Sequence, residues 1–203
     1  MKIIFATHNK NKLRELKELL SGGDFGLMSL SDVGFTDEIE ETGDTIDENA
    51  MIKAKAVAGY CKGRIDGGYA VLADDTGLFV DALGGAPGVY SARYAGEDAT
   101  YADNNAKLLS GLEGIEDEKR TARFMTAVAC VFDNGDSFIV RGECKGMILR
   151  SARGENGFGY DPLFFCFETG KSFAEASPDE KNRASHRGKA MKAAAEILKT
   201  RLK

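Results

Sequence analysis

Two acidic doublets hold the residues best suited to chemistry in this chain. Asp74-Asp75 closes the apolar run Val71-Leu72-Ala73, and Glu40-Glu41 lies within DEIEETGDT. Ionised carboxylates at the end of a buried strand are unfavourable unless something positive meets them. The aspartate pair must therefore stand exposed at a strand end, cap a helix, or hold a cation. Magnesium suits such a site, because it takes one or two protein carboxylates and completes its shell with water and substrate phosphates. Neighbours in a strand point to opposite faces, so one of Asp74 and Asp75 is expected to face the ion. Taken alone, Glu40-Glu41 reads more plainly as a solvated acidic loop feeding the dipole of the helix that follows.

Two further polar clusters sit where elements should end. Thr7-His8-Asn9-Lys10-Asn11-Lys12 follows a short apolar run and precedes a helical pattern. A helix N-terminus with hydroxyl, amide and lysine groups attracts phosphate. The spacing is not that of a P-loop, and a capped helix with solvated lysines is the plainer alternative. The last cluster is Phe158-Gly159-Tyr160-Asp161, with Lys181 and Ser185-His186-Arg187 further on. A ring among glycines can stack on a base, while Lys, Arg and a protonated His nitrogen donate to keto oxygens. The alternative is a core phenylalanine beside a helix cap. Together the clusters read as a phosphate grip, a metal site and a base platform.

The elements that must position these residues follow from pattern. Residues 2–6 (KIIFA) read as a buried strand. Leu13, Leu16, Leu19 and Leu20 recur at helical spacing until Gly22-Gly23. Thr45 and Glu48 have capping-box spacing at the head of a second helix, whose apolar face is Ile46, Ala50, Ala54, Val57, Ala58 and Cys61. Residues 69–74 and 78–80 read as strand pieces interrupted by DDTG, with a glycine-rich loop after them. A third helix is expected from near Thr100, with Leu108, Leu109 and Leu112. Residues 120–132 and 137–149 flank Asn134-Gly135, a hairpin signal. Ser177-Pro178-Asp179-Glu180 begins another helix, and an amphipathic helix through Ala190, Ala194, Ile197 and Leu198 runs on to Lys203. The class is α/β: one domain, 1–203, with a mixed β-sheet flanked by helices and two lobes.

Composition narrows the partners. The 203 residues carry a formal net charge of -5, which argues against nucleic acid. Four cysteines without C-x-x-C spacing read as core residues in a reducing compartment, and two histidines make a His-rich zinc site implausible. No apolar stretch has membrane or signal-peptide length, so no membrane partner is expected and the chain is expected to be cytoplasmic.

At these residues the chain resembles the Ham1/inosine triphosphate pyrophosphatase family, called XTP/dITP diphosphatases in bacteria. The matching segments are ATHNKNKLRE, EETGDTIDENAMIKA, ADDTGLFVDALGGAPGVYSARYAG, GFGYDPLFF and EKNRASHRGKA, in order along nearly the whole chain. Bacterial members often carry glycine and serine where this chain has His8 and Thr76; Thr76 keeps the hydroxyl. The resemblance implies an elongated fold with a central cleft between two lobes, a homodimer and Mg2+ as cofactor. It implies hydrolysis of ITP, dITP or XTP to monophosphate and pyrophosphate, which removes deaminated purines from the nucleotide pool. It further implies that Thr7, His8, Asn9, Lys10, Asn11 and Lys12 bind the triphosphate, and that Glu41 and Asp75 hold the metal. Asp75 would also accept the proton of the attacking water, Lys53 would neutralise phosphate charge, and Thr76 would touch substrate. Phe158, Gly159, Tyr160 and Asp161 would hold the nucleoside, with Lys181, His186 and Arg187 at the base edge. A nucleotide sensor that does not hydrolyse, and a pyrophosphatase for other modified nucleotides, are the competing readings.

Overall fold

Ile3, Ile4 and Phe5 are wholly buried, as a strand covered on both faces requires. They form β1 (Lys2–Phe5), which pairs in parallel with β2 (Gly26–Ser29) and with β3 (Tyr69–Val80). The computed structural model describes residues 1–20 and 26–201. The expected stop at Gly22-Gly23, the side chains of Leu19 and Leu20, and the last two residues lie outside what it describes. Along the mixed sheet the strands run β2, β1, β3, β5 (Thr121–Phe132), β6 (Ser137–Ile148), β7 (Phe164–Cys166) and β8 (Lys171–Ser172). The two-residue β4 (Pro87–Gly88) pairs antiparallel with β3. β7 pairs antiparallel with β6 and β8, so parallel and antiparallel ladders coexist, as the hairpin signal requires. The Asn134-Gly135 turn joins β5 to β6, closed by Phe132 N–H on Asp136 O at 2.9 Å.

The helices are α1 (Lys10–Leu20), α2 (Ile46–Cys61), α3 (Tyr101–Gly111), α4 (Pro178–Ala184) and α5 (His186–Arg201). α2, α3 and α4 each begin at a reciprocal capping box, Thr45 with Glu48, Thr100 with Asp103, and Ser177 with Glu180. Such boxes satisfy two orphan donors at once. Every apolar position expected on α2 is buried.

Two compact units result. One comprises Met1–Asp75, Thr126–Arg141 and Ala190–Lys203; the other comprises Thr76–Met125 and Gly142–Lys189. The first is built on Ile3, Phe5, Leu16, Leu72, Val128, Met191 and Leu198, the second on Leu78, Leu108, Leu112, Phe124, Ile148, Leu163, Phe164 and Phe173. β3 serves both, changing unit between Asp75 and Thr76.

The structure corrects the strand reading at one point. β3 does not break at DDTG but runs unbroken for twelve residues. Lysines brought from elsewhere in the chain meet the two carboxylates, so charge no longer forces the backbone to turn out. The two helices expected after Ser177 both form, with Ser185 in extended conformation between them.

Candidate functional site

The first unit gathers the acidic doublets and two lysines. α2 carries Lys53 on the face toward the turn that precedes it. The Lys53 ammonium donates to Glu41 Oε1 at 2.7 Å and to Asp75 Oδ1 at 2.9 Å, so two carboxylates 34 residues apart in sequence meet at one cation. Glu41 is held near α2 by its turn: Gly43 N–H donates to Asn49 Oδ1 at 2.8 Å, and Asn49 is a buried polar residue of that helix. Asp74 makes a separate ion pair, with Lys12 Nζ at 3.1 Å from its Oδ2. The alternation of β3 thus hands the neighbouring aspartates to different lysines. Glu40 has no part in the bridge.

Burial sets the electrostatics here. It pushes the Asp75 carboxyl above its ordinary value, outweighing the pull of the Lys53 and Lys12 ammonium groups, while Glu41 adds to the rise. Burial also works against the charge of Lys53, but Asp75, Glu41 and Asp74 more than offset it, and its pKa is held above the ordinary lysine value. Among the described residues Asp75 Oδ2 is buried and has no hydrogen-bond partner. A buried carboxylate oxygen without a donor calls for a cation or a water molecule. No group of three or more His, Cys, Asp or Glu side chains gathers into a metal cage among the described residues. Two convergent carboxylates, one with an oxygen to spare, nevertheless fit magnesium, which needs no full protein cage.

The turn before α1 is organised by Asn9. Its Oδ1 accepts from the N–H groups of Asn11 at 3.0 Å and Lys12 at 3.1 Å, and Thr7 Oγ1 accepts from Asn9 N–H at 3.2 Å. Two of the helix N–H groups expected to face a phosphate are therefore taken by the cap. The Thr7 hydroxyl and the exposed Lys10 side chain remain as the polar and charged surface of the turn, while Lys12 is engaged by Asp74. Lys10 and His8 are exposed. The His8 ring nitrogen Nε2 lies 3.1 Å from Asp37 O, and Asn11 is half-buried.

The second unit gathers the remaining cluster. Asp161, buried, accepts at Oδ2 from Phe158 N–H at 2.7 Å and from Lys181 Nζ at 2.8 Å. Lys181 also stands 5.0 Å from the centre of the Phe158 ring, and the Arg187 guanidinium stands 5.8 Å from it. Arg187 donates to Thr76 Oγ1 at 3.2 Å, which ties it to the residue that follows Asp75 in the chain. Tyr160 donates its hydroxyl to Ser91 O at 2.9 Å. His186 is buried with its ring stacked on Phe124, centroids 4.6 Å apart. Lys181, His186 and Arg187 come together because α4 ends and α5 begins within two residues. Gly188 makes that join possible: a Cβ there would lie 1.8 Å from Asn182 O.

The family model for the Ham1 family matches residues 3–197. The chain belongs to the Ham1 family. It is similar to a dITP/XTP pyrophosphatase of Thermoanaerobacter sp. (strain X514), 52% identical over 94% of this chain and 93% of that protein. It is also similar to a dITP/XTP pyrophosphatase of Bacillus subtilis, 48% identical over 96% of each. A solved Ham1 structure from Coxiella burnetii, 40% identical, covers 98% of this chain and 99% of its own with a TM-score of 0.86. In this Ham1 chain the pattern of residues singled out Lys12 and the family resemblance Lys53, but neither said which carboxylate each lysine would meet. Pairing across 22 or 62 residues leaves no local signal. Asn105, which donates from α3 to Gly159 O at 3.0 Å, had no signal of its own in a helix read only for its leucines.

Proposed function

We propose that this protein is a magnesium-dependent nucleoside triphosphate pyrophosphohydrolase. It cleaves ITP, dITP and XTP to the monophosphate and pyrophosphate and so clears deaminated purines from the nucleotide pool. The observation that carries this reading is the Lys53 bridge between Glu41 and Asp75, with Asp75 Oδ2 left over. A nucleotide sensor needs charge to hold a phosphate, but it has no use for a buried carboxylate with a raised pKa and an oxygen to spare. The names of the relatives support the same substrate class.

Thr7, Asn9, Lys10, Asn11 and Lys12, with His8 beside them, receive the triphosphate. Glu41 and Asp75 would hold magnesium, which when bound neutralises phosphoryl charge and acidifies water. Lys53 fixes Asp75 through Oδ1, and this leaves Oδ2 to take a proton from water. Burial makes Asp75 a stronger base than an ordinary carboxylate. The water oxygen bonds to the α-phosphorus as the bond from that phosphorus to the bridging oxygen breaks. The electron pair leaves with pyrophosphate. Lys12 and Lys53 stand ready to stabilise the charge that builds on the phosphoryl oxygens.

Phe158, Gly159, Tyr160 and Asp161 hold the nucleoside, with Thr76 beside Arg187. Donors on Lys181, His186 and Arg187 match the keto oxygen of hypoxanthine or xanthine. Adenine presents an amino group there, so donor faces donor. An unmatched buried donor costs about 1–3 kcal/mol, and sites built on hydrogen bonds discriminate sharply. The reading includes a homodimer in the cytoplasm. The test is to incubate the protein with Mg2+ and ITP, XTP, dITP, ATP or GTP separately and identify the products. Monophosphate and pyrophosphate from ITP, with little from ATP, are expected; release of single phosphates would overturn the reading.

A further inference from the structure

Helix α3 reaches the aromatic turn twice. Tyr101, in its first turn, brings its ring centroid to 6.2 Å from that of Phe158. Asn105, one turn later on the same face, donates its Nδ2–H to Gly159 O at 3.0 Å. Among the described residues its Oδ1 is buried and accepts no hydrogen bond. An apolar side chain of the same shape would avoid that penalty, so packing alone does not explain an amide at this position.

The turn it holds needs outside support. Phe158 lies between Gly157 and Gly159, which have φ of 80° and 63°, a region that only glycine enters freely. A ring flanked by two such residues takes its direction from the bonds around it. On the N-terminal side, Phe158 N–H is tied to Asp161. On the C-terminal side, the Gly159 carbonyl is tied to Asn105. The Tyr160 hydroxyl on Ser91 O anchors the next residue.

We propose that Asn105 is a positioning residue that sets the angle of the Phe158 ring for the purine by holding the Gly159 carbonyl. The proposal rests on the reading that this turn holds the nucleoside. Without the amide, the ring must be ordered when the base arrives. Binding then weakens, while the phosphate chemistry in the first unit keeps its rate.

Asn105→Leu keeps the volume, deletes the donor and removes the unsatisfied acceptor. Its KM for ITP and its calorimetric Kd for IMP are expected to rise about fivefold, the worth of one neutral hydrogen bond. Its kcat should stay within about twofold and its affinity for inorganic tripolyphosphate should be unchanged, since only the base is misplaced. Its melting temperature should not fall. Asn105→Ala, which removes the same donor, must show the same split, and it decides the matter if the leucine variant does not fold. An unchanged KM and IMP affinity in either folded variant, or a loss in kcat with KM held, would overturn the assignment. A wild-type protein that neither cleaves ITP nor binds IMP would overturn the functional reading as well. One that does both, matched by its variants, would overturn only the role of Asn105.

Discussion

At Lys53 one ammonium serves two carboxylates, and the consequences for Asp75 can be measured. Asp75→Asn keeps an oxygen for Lys53 to donate to, and Glu41 still supplies a counter-charge. Turnover of ITP is expected to fall on the order of a hundred- to ten-thousand-fold, the usual worth of a positioned proton acceptor, with the melting temperature within a few degrees of wild type. Retained turnover in steady-state assays would remove Asp75 from the chemistry. Lys181 makes a different contribution. Lys181→Ala takes a cation from buried Asp161, leaving the Phe158 N–H on that carboxylate. A stability loss of about 1–3 kcal/mol is expected in denaturant unfolding. The ratio of ITP to ATP turnover should also fall; an unchanged ratio would confine Lys181 to structure.

The join of α4 to α5 is the element on which the base-edge residues depend. Gly188→Ala would push a methyl group against the Asn182 carbonyl. Overpacking of this kind costs about 1–3 kcal/mol, and KM for ITP is expected to rise because Lys181, His186 and Arg187 all move with that join. The cap of α4 has its own pH signature. The Glu180 carboxyl is pulled down to about 2, first by its bond from Lys171 and then by the Ser177 N–H. Its folded pKa lies below the ordinary value, so its stabilisation is present above about 4.5 and is lost as pH falls toward about 2. The difference in melting temperature between wild type and Glu180→Gln should therefore shrink across that window. The caps of α2 and α4 were legible in the sequence because each lies within four residues of chain. The DDTG segment was not, since its apparent turn character came from two charges whose partners lie far off. The α4–α5 join was also hidden, because its cause is a close approach at Gly188 that no spacing rule encodes.

At the scale of the molecule, the α/β class and the mixed sheet followed from alternating runs, a hairpin signal and helical spacing. The short strands β2, β4 and β8 did not, because two to four residues are too few to show a period. The carboxylate, lysine and aromatic clusters were legible as residue types, whereas their division between two units, with β3 changing unit at Asp75–Thr76, came from the structure. Removing Mg2+ with a chelator is expected to stop ITP hydrolysis and leave the melting temperature nearly unchanged, because Lys53 and Lys12 continue to balance the acidic groups. Sedimentation should give twice the mass of the chain. The most direct measurement is hydrolysis of ITP in water enriched in heavy oxygen, with mass analysis of both products. The heavy atom should appear in the monophosphate and be absent from pyrophosphate, as attack at the α-phosphorus requires. Label in pyrophosphate, or in released orthophosphate, would contradict the assignment of the water that Asp75 deprotonates.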